Sequence, residues 1–124
     1  METLSPNIFV SDMHQTIEFY NMLGFSVTMS VPEKGEFDWV MMTSGSVSMM
    51  FQTFSSLGLE LSDVKRSNGG SLIFYIKTKS IHSLFASIKE KVQDIQERHK
   101  TFYGATEFAI KDCNEYILTF AEDE

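Results

Sequence analysis

The feature that most constrains this chain is an internal repeat of strand, turn and helix. Segment 7–25 begins with alternating apolar residues, continues with apolar residues at helical spacing and ends just after Gly24. Segment 71–88 repeats this order with few identical residues. A repeat of this kind predicts two copies of one supersecondary unit. At 124 residues, the chain forms one domain or two small repeats that share a core.

Local residues mark where the predicted helices begin and end. Asp12 is a favourable N-cap for the first helix, and Gln15 three residues later completes something close to a capping box. Gly24 follows the last turn, where positive φ is favoured. Thr78 or Ser80 is the predicted cap of the second helix. The apolar stripes comprise Met13, Ile17, Tyr20 and Leu23 in the first helix, and Ile81, Leu84, Phe85 and Ile88 in the second.

Alternating residues and turn residues predict the other strands. They are expected at 25–31, 37–43 and 46–54 in the first half and at 71–77, 94–103, 105–111 and 116–122 in the second, with 55–70 as the linker. Ser44 and Gly45 predict a tight hairpin, and residues 112–115 predict the last turn. Segment 94–103 is polar and charged, which suits the edge of a sheet.

Strand alternation assigns the side chains to two sheet faces. Strand 25–31 is expected to place Phe25, Val27, Met29 and Val31 on one face. The fold class is therefore α+β, with two βαβββ modules at about 5–54 and 71–122 that form a pair of half-barrels around a cleft. The face without a helix is predicted to bind a ligand through Asn7, Phe9, Trp39, Met41, Met50, Gln52, Ser71, Ile73, Tyr75, Tyr103 and Thr119.

Composition excludes several classes of function. The net charge of −7 and the pI of about 4.9 argue against a nucleic-acid partner and against anionic membranes. The single cysteine, Cys113, has no second thiol with which to form a disulfide or a metal pair. The N-terminal residues do not form a signal peptide, and no apolar run approaches membrane-spanning length. We therefore expect a cytoplasmic protein.

Short motifs in both halves resemble those of a known family. They are Val10-Ser11-Asp12, Ile17-Glu18-Phe19-Tyr20, Leu23-Gly24-Phe25, Met50-Phe51-Gln52, Tyr103-Gly104 and the run 112–122. Together they resemble the vicinal oxygen chelate superfamily of glyoxalase I, bleomycin-resistance proteins, fosfomycin-resistance proteins and extradiol dioxygenases, over nearly the whole chain. The usual form of the last run has Pro and Gly where Cys113 and Glu115 stand here. The resemblance implies a glyoxalase-like fold and says little about reaction.

The resemblance also implies where a metal would lie. Catalytic members hold a divalent metal with four inward His or Glu side chains on the first and last strands of each module. Matched by position, these places are Ser5, Met50, Ser71 and Thr119. Three hydroxyls and a thioether make no ordinary site for Zn, Ni, Mn or Fe(II). The histidines are predicted elsewhere, His14 and His82 on helices and His99 on the edge strand. We expect no metal and no cofactor.

The chain resembles the bleomycin-resistance members best. These are acidic, metal-free dimers that sequester a cationic aromatic drug in clefts at the dimer interface. We therefore expect a homodimer that binds a cationic or aromatic small molecule and has no catalytic residues. Trp39, Phe9 and Tyr75 are expected to stack on a planar ligand, or alternatively to pack against one another or a partner. Two other functions stay open, a metal-dependent lyase or dioxygenase and a subunit whose cleft its partner closes.

Overall fold

The computed structural model describes residues 1–124, except for the side chains of residues 94 and 95. The chain forms two compact units, 1–68 and 69–124. Each unit contains one four-stranded sheet and the helix that follows its first strand. The α+β class and the βαβββ order of both modules are confirmed.

Unit 1 contains the first sheet, called sheet 1. Its elements are β1 (Asn7–Val10), α1 (Met13–Met22), β2 (Ser26–Val31), β3 (Trp39–Ser44), β4 (Val47–Thr53) and the short α2 (Phe54–Leu57). The strands lie in the order β1-β4-β3-β2. The β1–β4 pair is parallel, whereas β4, β3 and β2 are antiparallel neighbours. The predicted hairpin is confirmed, because Ser44 pairs with Val47 across a turn at Gly45.

Unit 2 repeats this topology in sheet 2. Its elements are β5 (Ile73–Lys77), α3 (Ile81–Ile88), β6 (Gln93–Lys100), β7 (Ala105–Lys111) and β8 (Ile117–Asp123). The strands lie in the order β5-β8-β7-β6, so the charged strand β6 is at an edge, as predicted. Among the residues that the structure describes, no helix is both long enough and apolar enough to cross a membrane.

Each helix buries an apolar stripe against one face of its sheet. In unit 1, Tyr20 is fully buried, and its ring centroid lies 4.7 Å from that of Phe51. In unit 2, the buried Phe108 meets Phe85 of α3 edge-on at 5.1 Å and stacks on Phe120 at 5.2 Å. Burying an aromatic side chain of this kind stabilises the fold by about 1.5–3 kcal/mol. The helix-facing sides predicted from alternation in β3, β4 and β8 are therefore confirmed.

The N-termini of α1 and α3 are capped differently. In α1, the Asp12 Oδ1 atom accepts a hydrogen bond from the Gln15 backbone N–H at 2.9 Å, which confirms the predicted cap. Gly24 follows with a φ of +101°, also as predicted. In α3, Ser80 is left-handed and its side chain makes no capping bond. The Glu122 carboxylate of β8 instead accepts from the backbone N–H groups of Ile81 and Ser80.

Ser80, one of the two predicted caps, is the N-cap residue of α3, but its side chain makes no capping hydrogen bond. The carboxylate that replaces this cap comes from the last strand, 41 residues away in sequence from Ile81. Hydrogen bonds from the backbone N–H groups of Ile81 and Ser80 hold the pKa of the Glu122 carboxyl below its usual range. The first turn of α3 thus depends on a long-range contact that local sequence does not reveal.

The predicted arrangement of strand 25–31 is also wrong. Val27 pairs with Met42, but the register then shifts by one residue and Met29 pairs with Met41. Such a β-bulge at Thr28 reverses the alternation beyond it. Val27 therefore projects to the helix side, whereas Met29 and the residues after it alternate in the opposite phase.

Several predicted strand boundaries also move. The strand expected at 71–77 begins at Ile73, so Ser71 lies in a bend before it. The strand expected at 94–103 ends at Lys100, so Tyr103 lies in the turn that leads to β7. Gly104 in that turn has a φ of +83°, which favours glycine and ends the strand.

The turn between β7 and β8 offers a test of backbone strain. Glu115 has a φ of +67°, in the left-handed region that costs most L-residues about 1–2 kcal/mol. We expect Glu115→Gly to raise the free energy of unfolding by roughly 1 kcal/mol in urea denaturation. Glu115→Ala is the matched control, because it removes the same charge and keeps the Cβ atom. An equal gain from both variants would assign the effect to charge instead.

Candidate functional site

The face of sheet 1 opposite α1 carries all six predicted site residues of unit 1. They are Asn7, Phe9, Trp39, Met41, Met50 and Gln52. Met41 pairs with Met50 across β3 and β4. Trp39 pairs with Gln52 in the same ladder. Cross-strand partners project to the same side, so the structure brings these residues together on one surface, the open face of sheet 1.

The bulge in β2 adds two apolar residues to the open face of sheet 1. Met29 lies opposite Met41, and Val31 lies opposite Trp39. Met29 is 58% exposed and Val31 is 56% exposed. Sequence reasoning missed both, because strict alternation places them on the helix side with Phe25. Large apolar side chains that stay exposed together often mark a binding surface.

The polar groups on the open face of sheet 1 largely satisfy one another. The Asn7 side-chain amide donates to Gln52 Oε1 at 3.0 Å, and Gln52 Nε2 donates to Ser56 Oγ at 3.2 Å. Phe9 stacks on Phe54, with ring centroids 6.2 Å apart. These contacts fix the side chains near β1, so the exposed surface toward β2 is the more apolar part.

The open face of sheet 2, opposite α3, carries three of the remaining predicted residues. Tyr75 lies opposite Thr119, and Ile73 lies opposite Ile117. Thr119 is buried, whereas Ile73 and Tyr75 are exposed. Ser71 is exposed in the bend before β5 and holds no position in the sheet. Tyr103 also lies outside the strands, yet its hydroxyl reaches the same face.

The residue that connects these tyrosines is Glu107, in the middle of β7. Its side chain is on the open face of sheet 2, where it opposes Ala121 of β8 and His99 of β6. The Tyr75 hydroxyl donates to Glu107 Oε2 at 2.6 Å, and the Tyr103 hydroxyl donates to the same oxygen. Glu107 is only 6% exposed.

Sequence reasoning missed Glu107, although its position in the middle of an apolar strand could have indicated an unusual environment. The strand ATEFAIK contains a single acidic residue among buried alanine, threonine, phenylalanine and isoleucine residues. Glutamate is almost never fully buried unless it is paired, so an acidic residue at the centre of such a strand marks a special environment. The partners themselves were not predictable, because Tyr75 lies 32 residues away.

The carboxylate changes the acidity of both phenols. The hydrogen bond to Glu107 is the main reason why the pKa values of Tyr75 and Tyr103 lie above their usual range. Burial adds to the increase, and so does the negative charge of the carboxylate. Both phenols therefore remain protonated donors well into the alkaline range.

Comparison with known proteins decides the family. The model of the Glyoxalase/Bleomycin resistance protein/Dioxygenase superfamily matches residues 4–120. The chain belongs to this superfamily. A search of the curated proteins found no match.

Solved structures share this fold at low sequence identity. A protein of unknown function from Agrobacterium tumefaciens is 18% identical, with a TM-score of 0.82 over 100% of this chain and 95% of that chain. A bleomycin resistance determinant encoded on a transposon is 17% identical, with a TM-score of 0.72 over 100% and 99% of the two chains. A bleomycin-binding protein complexed with bleomycin is 16% identical, with a TM-score of 0.69 over 100% of both chains.

The metal positions of this superfamily do not fit a metal here. Ser5 and Ser71 both precede their strands. Met50 lies on β4 and Thr119 lies on β8. The three hydroxyls and the thioether of Ser5, Ser71, Thr119 and Met50 do not form a divalent transition-metal site. Within the described part of the chain, no three His, Cys, Asp or Glu side chains are grouped to hold an ion.

A cavity of about 570 Å³ lies elsewhere in unit 1, at the N-terminal end of α1. Its lining includes Asp12, Ile17 and Phe37 but none of the predicted site residues. Two further carboxylates there, on Glu36 and Asp38, are exposed to solvent. Exposed carboxylates gain little from pairing with a cation, so this cavity is a weaker candidate than the two open faces.

The tyrosine–carboxylate cluster can be tested by spectroscopic titration. We expect Glu107→Gln to lower the pKa values of Tyr75 and Tyr103 toward the usual value of about 10, because the negative acceptor is removed. Their ionisation can be followed by the ultraviolet absorbance of tyrosinate as pH rises. Because folding holds these phenol pKa values up, wild-type stability should be complete below about pH 10 and fall as pH rises further.

Tyr116 provides the internal control for this titration. Burial, and secondarily the charge of Asp112, raises its pKa without any contribution from Glu107. Glu107→Gln should therefore leave the Tyr116 transition in place. Unchanged titration of all tyrosines in Glu107→Gln would contradict the assigned cluster.

Proposed function

We propose that this protein binds a small aromatic or cationic molecule without a metal or other cofactor and without catalysing a reaction. The observation that carries the proposal is the apolar surface formed by the exposed Met29 and Val31 and the half-buried Trp39 and Met41. For unit 2, the proposed ligand contacts are those of the open face of sheet 2, namely Ile73, Tyr75, Tyr103 and Thr119, together with Ser71 in the bend before β5.

The open face of sheet 1 suits a planar apolar ligand. The Trp39 indole offers a large flat surface that loses little conformational entropy on binding. The thioethers of Met29 and Met41 are polarisable and adapt to irregular ligand shapes. The neighbouring Asn7–Gln52 amide pair supplies hydrogen-bonding groups at the margin of this surface. Ligand sites commonly combine an apolar surface with a few polar groups in this way.

The chemical class of the ligand follows from charge and from the superfamily. The net charge of −7 favours a cation over an anion. One solved relative of the same fold is a bleomycin-binding protein complexed with bleomycin. We extend that property to this chain as a proposal, in which the protein sequesters a compound and thereby confers resistance to it.

A thermal-shift screen tests the proposal directly. Bleomycin and other aromatic or cationic antibiotics are added to the purified protein, and a ligand at about 100 times its Kd should stabilise it by about 2.7 kcal/mol. Elemental analysis of the same sample should find no stoichiometric metal. One tightly held metal ion per chain, removed together with an activity, would replace this proposal with a metal-dependent lyase or dioxygenase.

Trp39 separates a binding role from a structural one. For a compound that stabilises the protein in the screen, we expect Trp39→Ala to weaken binding at least about tenfold, because a central aromatic contact is lost. Binding should also change the fluorescence of this single tryptophan in the wild type. Affinity is measured by calorimetry and stability by urea denaturation.

Val40→Ala is the matched control on the same strand. Val40 is fully buried on the helix side of β3, so its truncation should cost about 2 kcal/mol of stability and leave affinity unchanged. Phe85→Ala, on α3, should likewise reduce only stability. The proposal is wrong if Trp39→Ala destabilises the fold as much as these variants and leaves binding unchanged.

We also propose that the protein is a homodimer whose subunits meet along β2. Two edge strands that differ in character support this view. In sheet 2, edge strand β6 is protected by charged residues such as Glu97, Arg98 and Lys100. In sheet 1, edge strand β2 has the sequence SVTMSV, without a charge. Uncharged, apolar edges readily pair with another chain.

A lysine on β2 tests the dimer. We expect light scattering of the wild type to give about twice the 14.2 kDa chain mass, and Met29→Lys to give the monomer mass. Gln96→Lys is the control, because it adds the same charge to the other edge strand and should leave the dimer intact. A wild-type protein that is monomeric at micromolar concentration contradicts the proposal.

A further inference from the structure

Glu107 is a buried acid without a cation. The residue is only 6% exposed, yet the ion pairs of the described residues, His14–Glu18, Lys77–Asp123 and Lys100–Glu124, do not include it. The side chain of His99, its partner on β6, is within hydrogen-bond distance of the backbone carbonyl of Glu97 instead. A buried carboxylate without an opposite charge is costly unless something compensates it.

The two phenols compensate only one oxygen of the carboxylate. Both the Tyr75 and the Tyr103 hydroxyl donate to Oε2, and no described donor reaches Oε1. Every buried side-chain nitrogen or oxygen described in the structure has a hydrogen-bond partner, so Oε1 must be in contact with solvent. Glu107 therefore retains one acceptor atom, Oε1, that no described donor reaches and that is not fully enclosed by the protein.

The three alanines next to Glu107 on β7 and β8 supply no donor. Ala105 and Ala109 flank it on the same face of β7, and Ala121 faces it from β8. These methyl groups have no hydrogen-bonding capacity, and they keep the carboxylate in a largely apolar setting. In such a setting a charge–charge interaction is stronger than in bulk water.

We propose that Glu107 Oε1 is the anchor for the ammonium group of the ligand, with Tyr75 and Tyr103 holding the carboxylate in place. This inference rests on the proposed ligand-binding function and adds the chemical group that the ligand carries. Glu107 is a binding residue, because Oε1 touches the ligand. The tyrosines act as positioning residues, because their hydroxyls are already used on Oε2.

The geometry favours ammonium over guanidinium. A guanidinium binds a carboxylate best through two parallel hydrogen bonds, one to each oxygen. Here Oε2 already accepts two O–H donors, so only one oxygen is left. An ammonium group is a compact charge that needs only one acceptor atom from this side. A primary or secondary amine on an aromatic framework is therefore the predicted ligand class.

Three probe compounds with one ring system test this inference. They are naphthylmethylammonium, naphthylmethylguanidinium and naphthylmethanol, and their affinities for the full chain are measured by calorimetry. Wild-type protein should bind the ammonium compound at least about tenfold more tightly than the alcohol, as expected for a hydrogen bond to a charged group. It should also prefer the ammonium compound to the guanidinium compound.

Two variants test whether Glu107 itself is responsible for the preference for the ammonium compound. Glu107→Gln should weaken binding of the ammonium compound at least about tenfold and change the affinity for the alcohol by less than about twofold. Glu90→Gln is the matched control, because it removes one exposed carboxylate from the same unit and should leave all three affinities unchanged. This control separates a local contact from the loss of net charge.

A double variant of the two tyrosines keeps the inference testable if Glu107→Gln does not fold. Tyr75→Phe combined with Tyr103→Phe retains the carboxylate and frees Oε2. The guanidinium compound should then gain affinity relative to the ammonium compound, since two oxygens become available for paired hydrogen bonds. A merely structural role of the tyrosines would lower both affinities together and would contradict the assignment.

The remaining outcomes separate the two proposals. If wild-type protein binds the alcohol as tightly as the ammonium compound in calorimetry, the ammonium anchor is wrong and ligand binding stands. If neither compound binds at millimolar concentration and no compound from the thermal screen binds either, both proposals are wrong. Equal binding of the ammonium compound to wild type and Glu107→Gln also overturns the anchor.

Discussion

Each unit has a single long helix for a sheet with two faces, and the rest of the structure depends on this constraint. That helix buries an apolar stripe against one face, where Phe51 in unit 1 and Phe108 in unit 2 are fully buried. Hydrophobic burial on that side supplies most of the driving force for folding. The opposite face has no long helix of its own unit, although Phe54 of the short α2 stacks on Phe9 at the margin of sheet 1. Side chains that stay exposed on this face, such as Met29 and Tyr75, are available for binding within the limits that strand register imposes.

The two repeats use equivalent positions on their open faces for opposite chemistry. In sheet 1, Trp39 on the third strand opposes Gln52 on the fourth. In sheet 2, Glu107 on the third strand opposes Ala121 on the fourth. The same backbone framework thus presents an indole in one module and a carboxylate in the other. Divergence of this kind changes the side-chain chemistry of the face without changing the hydrogen bonds of the sheet.

Each of these positions has its own role in the proposed function. We propose that the apolar surface around Trp39 contributes affinity in proportion to the area that a ligand covers. In the other module, we propose that Glu107 sets the orientation of a bound ammonium group, because a hydrogen bond to a charged group depends on distance and angle. The phenols of Tyr75 and Tyr103 hold that carboxylate in place through hydrogen bonds to Oε2. Pre-organised groups cost less to order on binding, so they improve both affinity and selectivity.

The sequence by itself determined the repeat, the α1 cap at Asp12, the hairpin at Gly45 and the sheet faces of β3 and β4. These features follow from contacts between residues close in sequence and from alternation, which local residues specify. Tertiary structure decided what depends on register and on distant partners. The bulge at Thr28 reassigned Met29 and Val31, Glu122 capped α3 from the last strand, and Glu107 met the hydroxyls of two tyrosines, one of them 32 residues away. A side chain that finds its partner across a sheet leaves no periodic pattern along the chain, so only the folded structure reveals the pair.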